Sequence, residues 1–474
     1  MPTSTLTGGH RTGLAATFRT DAWWVEPVWT GAGFLLFEQT GRGLGSAYAG
    51  EGALATDPTT VYWNPAGMVL LPGTQLAASG FGVYTRNAFE NRGSRLNPAV
   101  GGLIPGNDGG NGGGFSLLST FFLTHRLHDR VSLGIGVSTP FGLETDWDRG
   151  WVGRYHARLS RLQTININPS LAVRVTDWLS VGAGANAQWV NATLTSNIDL
   201  GTLCQLRIAA AGLPPSVCVD TLNLQPGKVD GYVRLRGEDW AGSWNLGLLF
   251  MPRDGTRIGL AYRSRSTQRL TGTAGFKIPP QAAILREQSG ALRGTAARAS
   301  VTLPDRASIS FFQELRDDLH FLADVTWTNW SLFDELVFEF ANPNQPDTVQ
   351  PENWKDSLRY SLGLVYKLDE VWSFRGGFAY DESPVTSRVD VTPRIPDSDR
   401  YWMAIGVGIR PTSRIRIDLS YAHIFSPQQS TRNLDPTTGN RLIGNFESSA
   451  DLFGFQITYD IDWTFSDPLG ESTL

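Results

Sequence analysis

The chain has 474 residues, including 52 glycines and 16 tryptophans; only 18% are charged, and the formal net charge is -5. No run of about 18 apolar residues occurs, which excludes helical membrane spans, and without a basic block nucleic acid is not an expected partner. A prior of roughly 150 residues per domain suggests about three domains, but it is weak for all-β barrels, whose apolar outside and polar inside average to a near-neutral hydropathy.

In chain order, residues 1–31 read as a leader outside the fold. Their best apolar stretch, Ala22-Trp23-Trp24-Val25, is broken by Glu26 and Pro27, so no signal-peptide core of about 7–15 residues forms. Thr30-Gly31-Ala32 has the small side chains of a cleavage site. Residues 32–72 do not alternate and are rich in small residues. Short helical pieces are expected around Gly45–Gly50, with a turn at Asn64-Pro65, where Pro65 lacks an N–H and can open a short helix. Gly41, Gly43 and Gly45 lack the spacing and the preceding strand of a phosphate loop. Arg42, Glu51 and Asp57 are expected to pair or hydrogen-bond in the interior, since an isolated buried charge is costly.

From about residue 74 a period of two takes over, the mark of strands with one apolar and one polar face. Val131, Leu133, Ile135 and Val137 alternate, then meet Thr139-Pro140-Phe141-Gly142. Proline cannot donate to a ladder and glycine marks bulges, so this point is either a break in the strand or simply its end. Leu179, Val181, Ala183, Ala185, Ala187 and Trp189 face one way, with Ser180, Asn186 and Gln188 opposite. Similar alternation recurs over Trp240–Phe250, Leu358–Leu368, Trp372–Tyr380, Tyr401–Ile409 and Ile415–Tyr421. The last such stretch, Phe453 to Phe465, carries Phe453, Phe455, Ile457, Tyr459, Ile461, Trp463 and Phe465 on one face. It is long enough to cross a bilayer when tilted, which takes about 9–11 residues.

Short polar turns at Leu127–Arg130, Thr176–Trp178, Pro252–Gly255, Leu315–Asp318, Leu368–Glu370 and Pro411–Ser413 alternate with long Gly/Pro/Asn-rich stretches such as 85–113, 199–228, 341–353 and 426–445. Counted this way there are fourteen strands, six short turns and seven longer loops. An even count with short turns on one side and long loops on the other is the pattern of an outer-membrane barrel. The expected fold is all-β: a 14-stranded antiparallel transmembrane barrel over 73–465, a plug over 32–72 and a tail over 466–474. Trp147, Trp151, Trp178, Trp327, Trp330, Trp372, Trp402 and Trp463 lie near strand ends, as interfacial girdles require. The alternative is a soluble sandwich or propeller with these aromatics in its core, but no repeat of about 40–50 residues is present. Cys204 and Cys218 sit close together, either as a disulfide tying one loop, which needs an oxidising compartment, or as two free thiols.

Of the six histidines none forms H-E-x-x-H, and no G-x-S-x-G occurs. A barrel lipase would need adjacent Ser and His on one face, for which Ser420 and His423 are the nearest pair. No enzyme, metal or cofactor is expected.

The series A-G-F-x-L…G-L-G-x-A-Y-A-G-E-G-A…D…N-P-A over residues 32–66 resembles the start of the FadL/TodX family of outer-membrane hydrophobic-compound transporters. T-P-F-G-L-E-T-D-W (139–147), G-R-Y-H-A (153–157), T-I-N-I-N-P-S (164–170), D-V-T-W-T-N-W-S (324–331), P-D-S-D-R-Y-W (396–402) and L-S-Y-A-H-I-F (419–425) extend the resemblance to about residue 465. It implies a monomeric fourteen-stranded barrel plugged by an N-terminal hatch, in contact with outer-membrane lipid and lipopolysaccharide. Apolar ligands would be captured among extracellular loops, held in a lumen pocket and released sideways at a kink in the third strand. By the resemblance Gly33, Phe34, Leu35 and Leu36 touch the pocket, and Thr139, Pro140, Phe141 and Gly142 mark the lateral opening. Asn64, Pro65 and Ala66 are the hatch motif, with a structural turn role as the alternative to ligand contact. Fatty-acid members carry an arginine in the fifth strand that meets the carboxylate. Asn191 stands at that position here, and strict alternation with Trp189 turns it outward. Arg158, or Arg154, Arg161 or Arg263, could substitute. Long-chain fatty acids are the expected cargo. Neutral aromatic hydrocarbons, an open porin-type channel and a barrel lipase are the alternatives.

Overall fold

The computed structural model describes residues 33–461. The leader, the cleavage-like Thr30-Gly31-Ala32, Trp463, Phe465 and the 466–474 tail lie outside the described residues. Fourteen antiparallel staves close on themselves: β1 (Thr74–Asn91), β2 (Phe115–His128), β3 (Val131–Ser138, resuming over Gly142–Asp146), β4 (Leu159–Arg174), β5 (Leu179–Asp199), β6 (Asp230–Arg253), β7 (Thr256–Arg263 and Ser266–Lys277), β8 (Thr295–Leu303 and Arg306–Arg316), β9 (Leu319–Thr328), β10 (Ser357–Lys367), β11 (Trp372–Asp381), β12 (Arg400–Thr412), β13 (Ile415–Phe425) and β14 (Arg441–Ile461). Each pairs with its sequence neighbour, and β14 closes on β1 from Thr74↔Ile461 to Asn91↔Gly444.

Period-two patterning decides which way each side chain points. On β14, Phe453 (57% exposed), Phe455, Ile457 and Tyr459 face out, while Gln456 and Thr458 face in and are buried. On β12, Tyr401, Met403 and Ile405 face out. Only a lipid environment accepts so continuous an apolar outer face, and closure leaves no unpaired sheet edge within it.

The six expected short turns join staves at one end. The long stretches are less irregular than their composition suggests. β1 runs on to Asn91, well into 85–113, and β14 begins at Arg441 rather than Phe453. Within 199–228 lies a helix (Leu200–Ala210) capped by Asp199, whose side chain accepts from Thr202 N, and Cys204 and Cys218 are joined by a disulfide there. Strands Thr348–Pro351 and Gln429–Leu434 fill parts of 341–353 and 426–445, and Thr348–Pro351 pairs with a strand just before the first stretch, Glu335–Phe340. Above the membrane both faces of a strand can be covered, so ladders continue where clean alternation has stopped.

Residues 33–73 thread the lumen. Their helices are Gly41–Leu44, Glu51–Leu54 and Thr60–Trp63, followed by a 3-10 turn from Pro65 to Leu70, so Gly45–Gly50 is the bend between helices rather than a helix. Asn64 caps the last turn through Ala66 N (3.1 Å), and Pro65 occupies its first position, where a missing N–H is harmless. The staves make room with inward glycines. A Cβ on Gly377 would lie 2.2 Å from Ser46 C, and one on Gly247 would lie 2.0 Å from Asn64 Oδ1.

Candidate functional site

The wall is interrupted at β3. Its pairing with β4 runs to Ser138↔Asn166 and resumes at Gly142↔Gln163, so β3 carries one extra residue there. On the other side, pairing with β2 stops at Phe121↔Val137. Pro140 has no N–H to donate, and the neighbouring backbone turns to side chains. Phe141 N donates to Thr164 Oγ1 (3.1 Å), which donates back to Phe141 O (2.6 Å).

The beginning of the described chain covers this break from inside. Leu36 N donates to Pro140 O (2.9 Å) and Gly142 N to Phe34 O (3.0 Å), which makes Leu35 and Phe141 a β-bridge. Gln39 spans the gap: its Nε2 donates to Thr139 O (2.9 Å), and its carbonyl accepts from Thr120 Oγ1 of β2 (3.0 Å). Gly33 N is held by Asp397 Oδ2 (3.1 Å). These few bonds form a latch across the break.

Phe34 enters a cage of rings, with centroids 4.8 Å from Trp330, 5.5 Å from Phe333 and 6.0 Å from both Trp354 and Phe141. Deeper in, Phe37, Tyr48 and Trp63 stack, with Trp402 edge-on to Tyr48. Two guanidinium groups lie over these rings: Arg359 is 4.3 Å from the Phe37 centroid, and Arg306 is 5.1 Å from that of Tyr62. Arg359 also donates to Ala47 O (2.9 Å) and lies in the field of Asp381, Asp324 and Glu38. Arg306 forms no salt bridge among the described residues, and its Nη1 is buried without a hydrogen-bond partner, as are Tyr48 OH, Tyr62 OH and Trp63 Nε1. A buried cation with an idle donor among rings is a place for an anionic head on an apolar tail.

Below, the hatch is fastened by charge. Arg42 binds Glu51 (2.7 Å) and Asp57 (2.6 Å), Arg416 binds Asp57 (3.1 Å) and Asp418 (3.3 Å), and Arg375 binds Asp418 (2.8 Å). Beneath it, on the short-turn side, opens a vestibule of about 790 Å³ whose border carries the charged side chains of Glu314, Lys367, Glu370, Arg410 and Arg416. On the opposite side a cleft of about 100 Å³ lies among the long loops, lined by His156, Phe276, Leu292, Phe338, Phe340 and Arg394. Burial pushes the Arg394 guanidinium down to about 10 against the pull of Glu352 and Asp435.

The sequence-derived candidates separate in space. Gly33, Phe34, Leu35 and Leu36 meet Thr139–Gly142 at the break. Asn64, Pro65 and Ala66 lie elsewhere: Asn64 Nδ2 donates to Gly52 O (2.7 Å) and Leu248 O (2.9 Å), tying the hatch to β6. Asn191 does not face the lumen. Alternation puts Val190 inside, in the same apolar cluster as Phe34, and Asn191 on the outer face opposite Gln163 and Glu238. Arg158 stays at the rim, its Nε on Trp147 O (3.1 Å), and burial lowers its pKa. Arg154 is engaged by Asp230 (2.6 Å) and Arg161 by Glu144 (2.6 Å). Arg263 does point inward, to Tyr62 O (3.1 Å). Ser420 and His423 lie on opposite faces: Ser420 is buried, while His423 meets Asp451 (2.7 Å) outside. Trp178 and Trp372 are exposed as girdle residues should be, but Trp147, Trp151, Trp330 and Trp402 are fully buried. Trp402 could have been read as inward, since its neighbours Tyr401 and Met403 hold the outer parity. Trp330 and Trp354 lie outside any alternating run, and no local pattern marks them.

The family profile described as "Outer membrane protein transport protein (OMPP1/FadL/TodX)" matches residues 26–461. Outer membrane protein P1 of Haemophilus influenzae is 27% identical over 456 residues, covering 90% of this chain and 95% of that protein. The long-chain fatty acid transport protein of Escherichia coli is 28% identical over 424 residues, covering 86% and 89%. Among solved structures, a Pseudomonas aeruginosa FadL homologue superposes with a TM-score of 0.81 at 25% identity, covering 91% of this chain and 100% of that one.

Proposed function

Because the chain belongs to the OMPP1/FadL/TodX family of outer-membrane transport proteins, we propose that it captures long-chain fatty acids outside the cell, holds them in the aromatic lumen and releases them sideways at the break in β3. At the level of the family it is an outer-membrane barrel that carries hydrophobic small molecules, and not an enzyme.

The latch over the broken stave carries the reading. A ligand leaving straight down would have to pass the Arg42–Asp57–Arg416–Asp418–Arg375 network and a charged vestibule. Each methylene drawn into that water would cost about 0.8 kcal/mol. The sideways route needs only the few bonds of residues 33–39 to yield, and it ends in lipid. Outside, the loop cleft with its apolar lining and Arg394 suits first capture of an amphiphile.

Arg306 supports a carboxylate-bearing cargo, as does the likeness to a protein named for long-chain fatty acid transport. The all-carbon cage of Trp330, Phe333 and Trp354 around Phe34 favours a second reading, neutral aromatic hydrocarbons. Growth of a deletion strain complemented with this chain, on oleate or on toluene as carbon source, separates the two.

The route has its own test. Leu35 and Phe141 form a bridge whose flanking bonds make them a non-hydrogen-bonded pair, the spacing at which a disulfide can form. The double variant Leu35→Cys/Phe141→Cys should stop uptake when oxidised and restore it on reduction. Undiminished uptake by the oxidised protein would overturn lateral release.

A further inference from the structure

The outer face of β6 gives the height of the membrane directly. Its lower edge is marked by Phe250, stacked on exposed Trp178 at 6.4 Å, and its upper edge by Trp240, paired in register with Trp189. The ten residue steps from Trp240 to Phe250, at about 3.3 Å each and tilted by about 40°, span roughly 25 Å, the height of a barrel's apolar band. The next outward positions are therefore in the headgroup layer of the outer leaflet.

The first of them on β6 is Glu238, and the ones beyond it are arginines. Arg234 and Arg236 follow on β6, Arg269 on β7 and Arg298 on β8, all exposed. Register brings them together: Glu238 is opposite Thr271 and Thr271 opposite Arg298, with Arg236 two pairs higher and Arg269 two pairs lower. Lys277 adds a further charge nearby, over the Tyr232 ring. The acids here are Glu238, Asp239, whose carboxylate accepts from Arg269 N (2.6 Å), and Glu339, opposite Arg298. Among the described residues none of the four arginines forms a salt bridge. In a chain of net charge -5 this is a local excess of positive charge.

Exposed guanidinium groups at and above the edge of an aromatic belt match an amphiphile with phosphate at the level where its acyl chains end. We propose that this face of β6–β8 binds the phosphorylated glycolipid of the outer leaflet, with Arg236, Arg269 and Arg298 on its phosphates. The site is separate from the lumen and the β3 break, so it holds whichever cargo the barrel carries. A tightly held lipid there would brace the bent staves β7 and β8.

Native mass spectrometry of the full chain in detergent, titrated with bisphosphorylated lipid A, its monophosphorylated form or inorganic phosphate, tests this. The unaltered protein should retain bisphosphorylated lipid A at least tenfold more tightly than the monophosphorylated form, and millimolar inorganic phosphate should not displace it. At roughly fivefold per cation, R236Q/R269Q/R298Q should weaken retention about a hundredfold. R316Q, on the opposite side of the membrane, should leave it unchanged. Heat-modifiable migration in gels verifies that the triple variant is folded. Equal binding of the two lipid forms by the unaltered protein, or undiminished retention by the folded triple variant, would overturn the assignment.

Discussion

Arg306 lies over Tyr62 with a buried, idle Nη1. A charge-assisted hydrogen bond contributes about 1.5–3 kcal/mol, so Arg306→Gln should weaken oleate binding roughly 10- to 100-fold and leave toluene binding unchanged. Calorimetry on the detergent-solubilised protein checks both. Glu352 lies among the extracellular loops, and burial pushes its carboxyl up to about 8, with Arg394 opposing. A carboxyl raised above its usual 4.5 in the folded state stabilises that state fully below 4.5, and the contribution is lost as pH rises through about 8. Thermal resistance of the loops to protease should therefore fall between pH 5 and 8, and Glu352→Gln should flatten that dependence. Individual residues were unevenly legible. Asn191 was readable as outward because parity along a ladder is strict. Arg306 opens the second segment of a stave just after the Pro304-Asp305 interruption, where parity cannot be carried across, so sequence reasoning missed it.

Between the latch and the wall the balance is local. Phe34 holds the leading segment in its cage, and truncation of a buried phenylalanine costs about 3–5 kcal/mol. Phe34→Ala should free the segment, seen as faster hydrogen exchange at Leu36 N and Gly142 N, while amides of β10 and β11 stay protected. The rest of the hatch is seated differently, by close backbone approach and the ion-pair network. Gly377→Val would drive a side chain into Ser46, whose backbone carbon would be 2.2 Å from the new Cβ. It should unseat the hatch while the barrel still folds, so ion current in planar bilayers should rise. The break in β3 was legible in Thr139-Pro140-Phe141-Gly142, because proline and glycine disrupt ladders for local reasons. That residues 34–36 would form the bridge across it was not, since the partners lie about a hundred positions apart.

A fourteen-stave barrel has a bore wide enough for water and small solutes unless it is filled. With residues 33–73 inside, the full chain should show little steady current, and deletion of 33–72 should open a large, weakly selective conductance. A large current from the intact chain would point to an open porin instead. The alternation from Thr74 onward, the short turns and the long connections determined by themselves that the chain forms a membrane barrel of this strand number. Those features depend on period two and on local turn chemistry, which neighbouring residues express unaided. Which aromatics outside the alternating runs, such as Trp330 and Trp354, ring the lumen, where the idle cation sits and what seals the broken stave were decided only by closure of the cylinder around its hatch. Closure juxtaposes groups far apart in the chain, and no local pattern encodes those meetings.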